Sequence, residues 1–143
     1  MVANTTPIYT LTPDVSNNNG TGFGGTILTA TGDYTGQSAN HVLVHTAGAN
    51  GSYIRRLRFK AIGTNVATVA RIYINNGSTN ATATNNVFYG EVSLPATSAT
   101  NTASTPDIDY PMEFALASGE RIYAGTATTV AAGWICTTIA GQY

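Results

Sequence analysis

Residues 52–63 read SYIRRLRFKAIG, and apolar and charged side chains alternate along most of this stretch. Successive side chains of a β-strand point to opposite faces, so the alternation predicts a strand over residues 53–62. The predicted core face comprises Tyr53, Arg55, Leu57, Phe59 and Ala61, and the predicted outer face comprises Ile54, Arg56, Arg58, Lys60 and Ile62. A strand with one apolar face indicates a sheet that covers a core on one side only.

The rest of the chain repeats this pattern of short strands separated by turns. Strands are predicted at 26–31 and 41–46, then in VATVARIYIN, VFYGEVSLP, DIDYPMEFAL and RIYAGTAT, and last at 133–140. Threonine, which suits strands, is abundant, whereas the helix formers Glu, Lys and Leu are scarce. We therefore predict an all-β, single-domain β-sandwich, specifically a jelly roll of about eight strands.

The first 26 residues are rich in turn formers. The run 8–12 predicts an edge strand or an arm that pairs with a partner, and Pro13 argues against a central strand. The glycines at 20, 22 and 25 match G-x-G-x-x-G, but a strand-like stretch follows them where a dinucleotide site requires a helix. The predicted organisation is an N-terminal arm over 1–26 and a sandwich domain over 27–143.

The composition excludes several classes of function. Only 9% of the 143 residues are charged and the net charge is −1, whereas domains that bind nucleic acid are normally basic. No basic start followed by an apolar run opens the chain, and no stretch has the length of a membrane helix. We therefore expect neither a nucleic-acid nor a membrane partner.

Four of the six positively charged side chains nevertheless lie within six positions, at Arg55, Arg56, Arg58 and Lys60. One interpretation is a ladder of opposite charges, with Glu91, Asp109 and Glu113 as the acids. A second is a docking surface for an acidic protein, and a third is a grip on nucleic acid.

Turn signals predict how the neighbouring strands pair with this one. Residues 54–62 and 66–74 are expected to form a hairpin, which places Arg71 beside the basic side chains, and Asn50-Gly51 is a second hairpin signal. The candidate docking residues are therefore Arg56, Arg58, Lys60 and Arg71.

Residues that often carry chemistry lack the required spacing. His41 and His45 would stand about 13 Å apart along a strand, too far for one metal ion. Asp109 fits a polar outer face and Asp107, which follows Pro106, fits a loop, and neither is expected to belong to a calcium or acid–base pair. Cys136 fits a small buried hydrophobe. We expect no cofactor, no metal site and no enzymatic activity.

Three segments carry a resemblance to a known family: NGSYIRRLRFKAIGTNVATVARIYINNG at 50–77, LASGERIYAGTATT at 116–129 and GWICTTIAGQY at 133–143. Their turns and strand phase resemble small structural proteins of tailed-bacteriophage particles, often capsid decoration (cement) proteins. The resemblance covers roughly residues 50 to 143.

The resemblance implies a non-enzymatic virion protein, made in the host cytoplasm and located on the capsid exterior. Such a protein would bridge neighbouring copies of the major capsid protein, commonly as a homotrimer. No motif of that family transfers a defined site residue. The alternative is a tail or fibre module that binds host-surface glycan through some of its eight tyrosines and its Asn/Thr loops.

Overall fold

The computed structural model describes residues 9–16, 26–27, 34 and 41–143, and nearly all of its regular structure is β-strand. The strands are β1 (Thr12–Ser16), β2 (Thr26–Ile27), β3 (Val42–Thr46), β4 (Ser52–Ala61), β5 (Thr68–Asn75), β6 (Asn86–Leu94), β7 (Asp107–Leu116), β8 (Arg121–Thr126) and β9 (Trp134–Gln142). One short 3-10 helix, Ala83–Asn85, precedes β6. The predicted all-β class is confirmed.

The strands form two antiparallel sheets that pack face to face. The front sheet has the order β1-β9-β4-β7, with β2 also beside β9, and the back sheet has the order β3-β8-β5-β6. The pairings are nested, because β1 pairs with β9, β3 with β8, β4 with β7 and β5 with β6. Eight main strands rolled up in this nested order are a jelly roll, so the predicted sandwich is confirmed.

A single core lies between the sheets. Its fully buried side chains include Trp134, Phe59, Leu57, Ile72 and Leu94, drawn from both sheets. Burying each such side chain stabilises the fold by roughly 1.5–3 kcal/mol. Cys136 is fully buried in the same core, as its setting in the last strand predicts.

A β-bulge in β4 corrects the predicted alternation. Ile54 pairs with Ala140 of β9 and Arg56 pairs with the adjacent Ile139, so Arg55 is an extra residue on β4. Because of this extra residue, the side chains that precede Arg55 point to the opposite face from the one that strict alternation predicts. Ile54 is therefore fully buried, whereas the sequence pattern places it outside. Tyr53 is only half-buried, and the predicted faces hold from Arg56 to Ala61.

The two predicted hairpins are wrong. β3 and β4 lie in opposite sheets, and so do β4 and β5. Gly51 does adopt a turn conformation with φ 86°, which glycine tolerates. The Asn50-Gly51 signal thus determines the backbone conformation of the turn between β3 and β4. The burial of apolar faces decides which strands pair.

The predicted N-terminal arm is described only in part. Residues 12–16 form β1, which is an edge strand of the front sheet and begins where the predicted strand over 8–12 ends. Pro13 lies within this edge strand, in agreement with the prediction that it cannot belong to a central strand. Residues 1–8 and 17–25 lie outside the described residues, so the proposed division at residue 26 stays a prediction.

Asn65 holds together three loops at one end of the sandwich. Its Nδ2 donates to Thr97 Oγ1 at 3.3 Å, Gly133 O at 3.1 Å and Gly63 O at 3.3 Å. Its Oδ1 accepts from the backbone N–H of Ala132 at 2.9 Å and of Gly133 at 2.8 Å. The side chain is almost fully buried, so its loss leaves buried donors and acceptors of three loops without their partner.

We predict that Asn65→Ala lowers the free energy of unfolding by about 3 kcal/mol, because it leaves several buried polar groups unpaired. Urea denaturation followed by circular dichroism measures the change. Asn101→Ala, at an exposed loop position, is the control and should stay within about 0.5 kcal/mol of the unmodified chain. Equal stability of the two variants would contradict the assigned role of Asn65.

Candidate functional site

The three basic side chains of β4 form a row on the outer face of the front sheet. Arg56, Arg58 and Lys60 alternate with the buried Leu57 and Phe59, so they point away from the core. We call these three residues the basic row. The edge strand β7 runs beside them and places Asp109 opposite Arg58 and Asp107 opposite Lys60.

The register of β4 and β7 makes the basic row one half of a ladder of opposite charges. Arg58 donates two hydrogen bonds to Asp109, from Nε to Oδ1 at 2.8 Å and from Nη2 to Oδ2 at 3.0 Å. Lys60 Nζ lies 2.9 Å from Asp107 Oδ1 and donates to Thr105 O at 2.6 Å. The hydrogen bond from Arg58 holds the pKa of Asp109 below its ordinary value.

Arg56 is the member of the row whose charge is least compensated. Its Nη1 lies 3.4 Å from Asp109 Oδ2, but that carboxylate already pairs with Arg58. Its Nε is buried and has no hydrogen-bond partner among the described residues. Three cations and two aspartates thus leave one surplus positive charge, at Arg56. A carboxylate from another molecule would pair with the guanidinium of Arg56, whose side chain is 34% exposed.

Arg71 does not belong to this surface. It lies on the outer face of the back sheet, because its neighbours Ala70 and Ile72 are in the core. There its guanidinium lies 4.1 Å from the ring centre of Tyr34 and its Nε 3.8 Å from Glu91 Oε2. The expectation that Arg71 lies beside the row is wrong, since β4 and β5 are in different sheets.

Two of the acids expected to face the row serve other partners. Glu91 pairs with Arg71 on the back sheet. Glu113 accepts a hydrogen bond from the Tyr53 hydroxyl at 2.7 Å. Asp107, which the sequence places in a loop, is instead the first residue of β7 and faces Lys60.

A buried Ser52–His45–Asp14 cluster is the arrangement that sequence spacing misses. His45 Nε2 lies 2.7 Å from Ser52 Oγ, and His45 Nδ1 lies 3.8 Å from Asp14 Oδ2. Gln142 Nε2 also donates to Asp14 Oδ2 at 2.6 Å. Serine, histidine and aspartate in this order resemble a catalytic triad. Ser52 has no exposed surface, however, and we interpret the cluster as a polar link that joins β1, β3 and β4.

Sequence spacing does not reveal the cluster, because Asp14 lies on a strand well before His45 in the chain, and His45 and Ser52 lie in opposite sheets. His41 and His45, which the sequence places too far apart for one metal ion, are both buried. No group of three or more His, Cys, Asp or Glu side chains that could hold a metal ion occurs in the part of the chain that the structure describes.

An aromatic group occupies the edge of the sandwich where β6 and β7 lie side by side. Tyr89 is the extra residue of a bulge in β6, because Ile72 pairs with Gly90 and Tyr73 pairs with Phe88. Its ring lies 5.2 Å from that of Phe114 and 6.3 Å from that of Tyr110. Tyr89 stays partly exposed, so the group presents an aromatic surface to solvent.

Comparison with protein-family models, with curated proteins and with solved structures finds no match for this chain. The resemblance to capsid decoration proteins therefore stays a prediction. Across the described residues, no helix has the length and apolar character needed to cross a membrane.

Burial lowers the pKa of His45 below its ordinary value, and the negative charge of Asp14 opposes this shift. Below about pH 6.5 the unfolded chain binds a proton at this histidine more readily than the folded chain does. We therefore predict that the free energy of unfolding is fully retained above that pH. It should fall as the pH drops from there towards the lower folded-state pKa.

Urea denaturation from about pH 8 to about pH 5 tests this dependence. His45→Gln should remove part of the pH slope, whereas the control His41→Gln should keep it. If His45→Gln shows the slope of the unmodified chain, the titration of His45 is not its source.

Proposed function

We propose that this chain is a non-enzymatic structural protein of a tailed-bacteriophage particle. In this proposal it decorates the capsid exterior and stabilises the shell by bridging neighbouring major capsid proteins, as a homotrimer. The jelly-roll order supports it, because this architecture is common among viral capsid domains. The segments that carry the resemblance fall on β4, β5, β8 and β9, which are central strands of the two sheets.

The observation that carries the proposal is the surplus charge of Arg56 on an open sheet face. The basic row holds three of the six cationic side chains of the chain. Its aspartates hold Arg58 and Lys60 in position and leave the guanidinium of Arg56 able to donate to a carboxylate. An acidic strip on a capsid protein fits this pattern, and the paired neighbours would set its register.

We predict that the protein is present in purified particles of the source virus in a fixed, large ratio to the major capsid protein. Quantitative mass spectrometry of the particles measures this ratio. Absence from the particle would overturn the proposal, and a few copies per particle would move the protein to the tail or a fibre.

Binding to capsids that lack the protein tests the docking residue. Arg56→Gln should weaken binding by about tenfold at low salt, with a smaller difference at high salt because ions screen the contact. Arg121→Gln, on the back sheet, is the control of equal charge change and should bind as the unmodified chain does. Equal binding by both variants would assign the row to a purely internal ladder.

A glycan-binding tail module is the second candidate, and the exposed aromatic group at Tyr89 favours it. Aromatic rings on a protein surface can stack on sugars through their apolar faces. This candidate requires that the protein binds host polysaccharide and that Tyr89→Ala abolishes the binding. No binding by the unmodified chain on a glycan array would exclude it.

A further inference from the structure

The half of the front sheet beside the basic row carries an uncharged, apolar surface. Ile135, Thr137 and Ile139 of β9 alternate with the buried Trp134, Cys136 and Thr138, so they face outward like the basic row. In the sheet, Ile135 lies opposite Lys60 and Ile139 lies opposite Arg56. On the other side of β9, Val15 of β1 lies opposite Ile139.

The segment that leads into β1 extends this surface. Val15 is 62% exposed, Leu11 is 82% exposed and Tyr9 is 73% exposed. The Thr10 side chain occupies the space where a side chain at Gly141 would lie, which holds the segment against the outer face of β9. We call Tyr9, Leu11, Val15, Ile135 and Ile139 the apolar strip. Single exposed apolar residues are ordinary, but a contiguous group of them marks an interaction surface.

We infer that the apolar strip is where this chain meets a second copy of itself. The inference deepens the proposed function, which expects self-association, by naming the surface, and it can be tested without any capsid. The distribution of charge on the front sheet indicates that the partner bound to the strip is a second copy of the chain. The strip carries no charged side chain, and the charged ladder lies along one side of it.

A second copy matches this distribution. When the strips of neighbouring copies meet around a two-fold or a three-fold axis, apolar side chains cover apolar side chains. Each ladder then stays at the rim, where its pairs keep their contact with water. Protein interfaces commonly have this anatomy of an uncharged centre and a charged rim. An acidic or basic partner laid on the strip would instead bury unpaired charges, which costs several kcal/mol.

The contact is between sheet faces rather than between strand edges. β1 is an edge strand, and edge strands can pair with another chain through their backbone. Pro13 lies within β1 and has no N–H to donate, which limits such pairing. The outward side chains of β1 and β9 therefore supply the contact.

Light scattering coupled to size-exclusion chromatography tests the inference on the isolated full chain. The unmodified protein should have the mass of two or three copies. The double variant Leu11→Lys with Val15→Lys should have the mass of one, with a dissociation constant raised by at least about 100-fold. Both residues are exposed, so circular dichroism should show an unchanged fold.

The double variant Val66→Lys with Val87→Lys is the matched control. These valines are 60% and 64% exposed, lie away from the strip, and undergo the same charge change. The control should assemble as the unmodified chain does. The inference is overturned if the unmodified chain is a monomer at every concentration tested, or if both double variants dissociate alike. It is equally overturned if the strip variant keeps its mass but loses binding to capsids, because the strip would then belong to the capsid contact.

Salt separates this inference from the proposed function. Assembly through an apolar strip should persist or strengthen at high salt, since no exposed ion pair contributes to it. Docking through Arg56 should weaken under the same conditions. Failure of self-association would therefore overturn this inference and the trimer, but would leave docking on the capsid through Arg56 standing. Failure of capsid binding would leave this inference standing.

Discussion

The hydrogen bonding of β4 on both sides is the constraint on which the rest of the structure depends. β4 pairs with β9 along one edge and with β7 along the other, over most of its ten residues. This double pairing places the last strand of the chain beside a strand from its first half. It also brings β7, which follows two strands of the back sheet, back to the front sheet. The nested order of the jelly roll is completed by these two contacts.

The same register creates the surface chemistry. Because Arg58 is opposite Asp109, and Lys60 is opposite Asp107, the concentrated basic charge of β4 is largely compensated within the fold. Arg56 faces Pro111 instead of an acid, so the surplus charge is confined to one position. On its other side β4 faces Ile135 and Ile139, so one sheet face divides into a charged half and an apolar half.

The chain uses amides and hydroxyls where other proteins use charge. Asn65 satisfies backbone groups from three loops, and Ser52 meets His45 inside the sandwich. Such buried polar contacts favour one arrangement of the loops, because a buried donor or acceptor without a hydrogen bond lowers the stability of the fold. They explain how a chain with 9% charged residues maintains defined loops.

The sequence by itself determined the class of the fold and the face on which the basic row lies. Alternation along a strand is a local property, so the outward direction of Arg56, Arg58 and Lys60 could be predicted from period two alone. Pro13 likewise indicated an edge strand from its missing N–H. Only the tertiary structure decided which strands pair, because pairing depends on how apolar faces from distant segments are buried together.

The contrast between local alternation and long-range strand pairing explains which predictions from the sequence are confirmed and which are wrong. Arg71 was expected beside the row because turn signals act locally, whereas the sandwich sends β4 and β5 to opposite sheets. The bulge at Arg55 arises from the fit of β4 to β9 and has no signal of its own in residues 52–63. The Ser52–His45–Asp14 cluster combines residues from three strands in the first half of the chain, and the apolar strip combines residues from both ends. Only the folded register brings these residues together.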